Sequence, residues 1–198
     1  MSMLRAFIAI ELPGGLQKAI SQVIEHLQSN AGKSAVRWVA ASNIHLTLKF
    51  LGEIAPTSLS AIEEALTIEA GLHSGFRLEA AGLGAFPNTK RPRVIWLGVE
   101  APPELTLLQR GIDAATAKLG YASEARPFSP HLTLGRVREN ASTSDLSTLS
   151  SHLTKVRFDS PGSIEVDVVH LFKSDLLPGG SVYTRLFSAP LLTHTDKE

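Results

Sequence analysis

Apolar and polar positions along the chain alternate between two periods. Arg5 to Leu12 (RAFIAIEL) is an apolar, partly β-branched run closed by Pro13-Gly14-Gly15, the pattern of a strand entering a turn. Leu16, Ala19, Ile20, Val23, Ile24 and Leu27 then recur at helical spacing and form one apolar stripe. Val36 to Val39 predicts a short strand and Ile44 to Leu51 (IHLTLKFL) a longer one. Ser60 with Glu63 fits a capping box that opens a helix running to about Leu72. Phe76 to Phe86 returns to extended structure, and Pro87 to Pro92 (PNTKRP) is a loop with breakers at both ends.

The order then starts again. Val94 to Val99 (VIWLGV) predicts a strand and Pro102-Pro103 the turn after it. Leu105, Leu108, Ile112, Ala115 and Leu119 predict a helix that Gly120 is placed to cap. Phe128 to Val137 (FSPHLTLGRV) gives the next strand, Asp145 to Leu153 a helix, and Ile164 to Phe172 and Val182 to Phe187 further extended runs. His45 follows Arg5 by 40 residues, and His131 follows Arg93 by 38. Strand, helix, HLTL strand and helix thus occur twice in one order. We read an internal duplication, with two lobes facing each other across a pseudo-twofold axis and a cleft between them. Residues 1–192 are expected to form a single bilobal domain, and 193–198 a polar, frayed tail.

Composition narrows the function. Of 198 residues, 43% are hydrophobic and 19% charged, which suits a buried core. Nineteen basic residues balance nineteen acidic ones, so no broad positive field holds long nucleic acid, although a local basic pocket is compatible. The absence of cysteine excludes a disulfide framework, a thiolate zinc site and a cysteine nucleophile. The apolar runs fall short of the roughly 20 residues that span a bilayer, and Met1 to Pro13 is too short for a signal peptide. The chain reads as a soluble, cytoplasmic protein with no membrane partner, and as a monomer.

His45-Leu46-Thr47-Leu48 and His131-Leu132-Thr133-Leu134 are identical tetrapeptides at equivalent points of the duplicated order. On a strand, side chains alternate faces, so each His shares a face with the Thr two residues on while the leucines point into the core. Two such strands brought together across a twofold axis place two imidazoles and two hydroxyls in the cleft. One neutral imidazole can take a proton from an attacking water while its protonated partner gives one to a leaving oxygen. The hydroxyls can donate to phosphate oxygens. A single histidine on a half-buried strand is ordinarily structural. Core packing does not explain an ionisable and a hydroxyl side chain kept on one face in both halves.

On these motifs the sequence resembles the two-histidine phosphoesterase superfamily, and within it the RNA 2′,3′-cyclic phosphodiesterases, also called 2′-5′ RNA ligase-like proteins. The likeness covers nearly the whole chain, through RAFIAIELP at Arg5 to Pro13, NIHLTLKFLGE at Asn43 to Glu53, PRVIWLGV at Pro92 to Val99, PFSPHLTLGRV at Pro127 to Val137 and LFKSDLLPGGSVY at Leu171 to Tyr183. It implies a bilobal α+β fold of antiparallel sheets flanked by helices around a central groove. It implies hydrolysis of an RNA or oligonucleotide 2′,3′-cyclic phosphate terminus to a 2′-phosphomonoester without a metal. Reversal of the same transesterification, as 2′-5′ ligation, is a second capacity. His45 would be the proton donor, His131 the proton acceptor, and Thr47 and Thr133 the phosphate ligands.

The resemblance also places an arginine after the second motif, at Arg136, as a further phosphate ligand. Strict alternation puts Arg136 on the core side, so it reaches the groove only if Gly135 allows a bulge. Lys49 has the parity of Thr47 and is expected at the cleft edge, facing the groove or solvated. Phe7 and Ile10 read as core, with the groove wall as the alternative. Lys90, Arg91 and Arg93 form a solvated turn or a guide for an RNA end, and Tyr183 or Trp38 could stack on a base. No metal-ligand spacing or glycine-rich phosphate loop occurs, so neither metal nor cofactor is expected. Two alternatives stay open: a phosphodiesterase for a small nucleotide such as ADP-ribose cyclic phosphate, and a non-catalytic RNA- or nucleotide-binding module.

Overall fold

Apolar residues spaced for strands and helices bury one face each, and the chain folds by setting those faces together. The computed structural model describes residues 2–30, 35–157, 160–177 and 180–192. The first half runs β1 (Leu4–Glu11), α1 (Gly14–Asn30), β2 (Val36–Trp38), β3 (His45–Ile54), α2 (Leu59–Ala70) and β4 (Phe76–Phe86). The second runs β5 (Val94–Glu100), α3 (Pro103–Lys118), β6 (His131–Val137), α4 (Thr143–Lys155), β7 (Gly162–Val166), β8 (Val168–Leu177) and β9 (Gly180–Pro190). The frayed tail expected at 193–198 lies outside the described residues. Among the described residues no helix is long and apolar enough to cross a membrane.

Among the described residues all strands join one antiparallel sheet in the order β7-β4-β5-β6-β3-β1-β8-β9, with β2 beside β6. The sheet narrows at its middle, where Leu46 opposite Leu132 is the one ladder pair between β3 and β6. On either side of that pair lies a four-stranded lobe, β3-β1-β8-β9 and β6-β5-β4-β7. Helices α2 and α3 pack together behind the first lobe, and α1 and α4 behind the second. The two lobes are not the two sequence halves. After α2 the chain crosses over, so that β4 pairs with β5, and after α4 it crosses back, so that β8 pairs with β1. The first-half helix α1 likewise lies against β7, and the second-half helix α3 against β3.

The predicted α1 stripe is buried at Leu16, Ile20, Val23, Ile24 and Leu27. Motif leucines Leu46, Leu48, Leu132 and Leu134 are all at most 2% exposed, which fixes the strand faces as expected. Local details differ from the periodicity. A single 3-10 turn at Pro56–Ser58 leads into α2, so Ser60 lies inside the first helical turn and the expected capping box does not form. The run from Ile164 to Phe172 breaks at Asp167 into β7 and β8, which end up in opposite lobes. In α3 the stripe closes with Thr116, whose hydroxyl donates to the Ile112 carbonyl, while Leu119 is exposed and Gly120 follows with φ +94°.

Candidate active site

The Leu46–Leu132 pair positions the site. Carrying that antiparallel register one residue in each direction sets His45 across from Thr133 and Thr47 across from His131. These four residues sit on the opposite face from the leucines, so the imidazoles and the hydroxyls form two diagonals about the pseudo-twofold axis. All four line a single cavity of about 480 Å3.

Both imidazoles are held in the same way. The Nδ1–H of His45 donates to the Asn43 carbonyl at 3.0 Å, and that of His131 to the Ser129 carbonyl at 2.7 Å. A carbonyl can only accept, so each neutral ring carries its proton on Nδ1 and leaves Nε2 bare. Among the described residues neither Nε2 nor either threonine hydroxyl has a protein partner.

The surroundings of the two rings differ. Phe7 stacks on His45 with ring centroids 4.6 Å apart, and Tyr183 meets it edge-on at 5.1 Å. Phe172 stacks in turn on Phe7. Burial in this aromatic box lowers the His45 pKa below the ordinary imidazole value, and the hydrogen bond to the Asn43 carbonyl offsets that only in part. Among the described residues His131 has one aromatic neighbour, Phe86, edge-on at 5.0 Å. Phe7, read first as core, is therefore both buried and part of the groove wall, whereas Ile10 lies wholly in the core.

A bulge repeated in both motif strands decides where the next residues point. In β6, Thr133 pairs with Trp96 and Gly135 with Ile95, which leaves Leu134 over. Leu134 and Gly135 are both buried, the parity flips, and Arg136 comes round to line the cavity. In β3, Thr47 pairs with Ala9 and Lys49 with Ile8, leaving Leu48 over. The same flip removes Lys49 from the cleft edge. It is 1% exposed, and its ammonium donates to Asp113 Oδ1 on α3 and to the Ala122 carbonyl, both at 2.5 Å. Desolvation pushes the Asp113 carboxyl up, but the Lys49 ammonium, the Ser123 hydroxyl and the Glu124 amide outweigh it, and its pKa falls. Phe50, the β3 counterpart of Arg136, is 58% exposed at the cavity edge.

Arg5, Asn43, Ser174 and Ser181 also line the cavity and were not singled out from the sequence. Asn43 had a signal, since it stands two residues before the first motif as Ser129 does before the second. Its side chain donates to the Ser181 carbonyl at 3.0 Å and ties the entry of β3 to β9. Tyr183 lines the cavity, while Trp38 packs partly against the core beside Gly135 and lines the adjoining cavity instead. Lys90, Arg91 and Arg93 line neither this cavity nor the one next to it. Among the described residues no three His, Asp or Glu side chains converge as a metal site.

Two unpartnered imidazole nitrogens and two hydroxyls around a small cavity, with a guanidinium beside them, are groups suited to phosphoryl chemistry. The chain belongs to the LigT-like phosphoesterase family, whose model matches it twice, over residues 10–96 and 97–183, once for each copy of the duplication. It is 37% identical over 180 residues to an RNA 2′,3′-cyclic phosphodiesterase of Methanothermobacter thermautotrophicus, covering 91% of this chain and 95% of that one. It is 34% identical over 184 residues to the Archaeoglobus fulgidus enzyme of the same name, covering 92% and 98%. Among solved structures, a Thermus thermophilus protein superposes with a TM-score of 0.80 at 28% identity, covering 96% of this chain and all of the other. Escherichia coli LigT in complex with 3′-AMP superposes with a TM-score of 0.70 at 32% identity, covering 96% and 98%.

Proposed function

We propose that this protein is a metal-independent RNA 2′,3′-cyclic phosphodiesterase that opens terminal cyclic phosphates to 2′-phosphomonoesters. One observation carries the reading: His45 and His131, each with Nδ1–H tied to a backbone carbonyl, present bare Nε2 atoms to one cavity together with Thr47 and Thr133. Kinship with enzymes named RNA 2′,3′-cyclic phosphodiesterase supports the substrate class.

In this reading the cyclic phosphate sits between the two diagonals. Thr47 and Thr133 donate hydrogen bonds to its non-bridging oxygens, and the Arg136 guanidinium offsets the charge that develops on them. His131 Nε2 takes a proton from water as the water oxygen bonds to phosphorus. The bond from phosphorus to the 3′-oxygen breaks, and His45 Nε2–H delivers a proton to that oxygen. His131 ends protonated and His45 neutral, and exchange with solvent resets both. Burial favours neutral His45 in the free protein, so the anionic substrate is what charges it, by stabilising the imidazolium. The enzyme would work as a cytoplasmic monomer on RNA ends.

The test is incubation with adenosine 2′,3′-cyclic phosphate in excess chelator, with the product isomer identified by phosphorus NMR. Formation of the 2′-phosphate by the wild type, and not by His45→Ala or His131→Ala, is the expected result. A 3′-phosphate product would reverse the bond assignment. Turnover that survives both substitutions would overturn the two-histidine mechanism.

A further inference from the structure

Beside the catalytic cavity lies a larger one of about 880 Å3, and Asn43, Arg136, Leu176, Ser181 and Tyr183 line both. The outer cavity holds a pair of arginines. Arg37 on β2 is the direct cross-strand partner of Arg136 on β6. Their side chains therefore leave the sheet on one face, with Cβ atoms about 5 Å apart, an arrangement that is repulsive for like charges. Both side chains are exposed, and neither makes an ion pair or hydrogen bond with any described residue. Arg37 also reaches across to the start of β9, where its Nη2 lies 3.8 Å from the position a side chain at Gly180 would take. Two adjacent unpaired guanidiniums in a cavity continuous with a phosphate site form a receptor for a second anion.

We propose that Arg37, side by side with Arg136, binds the 5′-phosphate of the terminal nucleotide, so that the outer cavity receives the RNA strand upstream of the cyclic end. The inference rests on reading the inner cavity as the cyclic phosphate site. In a terminal nucleotide one ribose separates the 2′,3′-cyclic phosphate from the 5′-phosphate. A protein holding the first meets the second one sugar away, and Arg136 lines both cavities at that junction. Leu176, Leu177 and Val182, all exposed on the β8–β9 hairpin, give the outer cavity an apolar wall for the upstream base.

The experiment compares adenosine 2′,3′-cyclic phosphate, the same compound carrying a 5′-phosphate, and the dinucleotide ApA ending in a cyclic phosphate. Wild-type kcat/KM is expected to be about tenfold higher for the latter two, through KM. Arg37→Met should erase that advantage and Arg37→Lys should keep part of it. Removing Arg37 should also lower the salt dependence for the dinucleotide by about 0.7 in log–log slope. A dinucleotide that outperforms the 5′-phosphorylated nucleotide places a strand in the outer cavity. One no better than the bare nucleoside cyclic phosphate overturns the proposal, as does an Arg37→Met loss equal for all three. If the wild type hydrolyses none of them, the activity reading has failed. Calorimetry with ApA 2′-phosphate and adenosine 2′-phosphate then decides this inference alone. A preference for the dinucleotide that disappears in Arg37→Met supports it, and equal affinities overturn it.

Discussion

Lys49 and Gly135 occupy the same position of the two repeated strands, one residue past matching bulges, yet only Lys49 has a side chain to place. Lys49 is free to cross the core to Asp113. At Gly135 the neighbouring strand β2 closes that route, because a Cβ would lie 2.7 Å from Val36 Cγ1 and 3.0 Å from Trp38 Cε3. The bulge is thus repeated in both motif strands, while the packing behind it differs.

Removing the Asp113 carboxylate leaves a fully buried ammonium short of its counter-charge. Asp113→Ala is expected to lose about 3–5 kcal/mol in urea unfolding. Lys49→Met, which leaves a carboxylate able to turn toward water, should lose less, about 1–3 kcal/mol, and the double variant should lose less than the sum. The pKa of Asp113 is depressed in the folded state, so the unfolded state binds more protons at low pH. Its contribution is therefore fully present above about pH 4 and lost as pH falls through the depressed value. Asp113→Asn should flatten that limb of the stability curve.

His45→Ala and His131→Ala should each reduce turnover by about 10²–10⁴, with circular dichroism unchanged. Steady-state rates on a cyclic nucleotide check this.

The aromatic box around His45 makes a prediction about pH. Burial lowers its pKa in the free protein, so one limb of the kcat/KM profile should lie below about pH 6.5. The kcat profile reports the complex, where the phosphate favours the imidazolium, and its corresponding limb should lie higher. Phe7→Ala admits water to the ring and should move the kcat/KM limb upward. A limb that Phe7→Ala leaves in place would show that desolvation is not its cause.

The two faces of β3 separate cleanly by mutation. Thr47→Val should impair catalysis with little change in stability. Leu48→Ala, at a site 2% exposed, should cost about 2–5 kcal/mol and act on rate only through folding. Gly135→Ala should do both, since the added methyl presses on β2 and displaces the neighbouring Arg136.

How much of this was legible beforehand depended on whether a feature is local. Alternation along HLTL gave the leucines to the core and the histidines and threonines to the cleft, because period two is a property of the strand itself. Repetition of the motif gave the pseudo-twofold arrangement. Parity counted along one strand puts Lys49 at the cleft edge and Arg136 on the core side, because it does not see the partner strand, against which a bulge at Leu48 or Leu134 adds a residue. The crossing of β4 and β8 was invisible for a similar reason, since the choice of sheet neighbour is tertiary. Arg37 escaped notice because its significance lies in Arg136 opposite, a relationship between residues nearly a hundred positions apart.

The exchange of strands across the middle of the sheet has a consequence for how the molecule comes apart. A nick in the loop between β4 and β5 would leave one fragment whose sheet lacks β8 and another whose sheet lacks β4, in each case the strand that flanks the first strand of its half. Neither piece holds a finished layer on which its helices could rest, whereas the two mixed together can interlock and rebuild the cleft. The intact chain should accordingly melt in a single step, with no temperature at which one lobe stands while the other is unravelled.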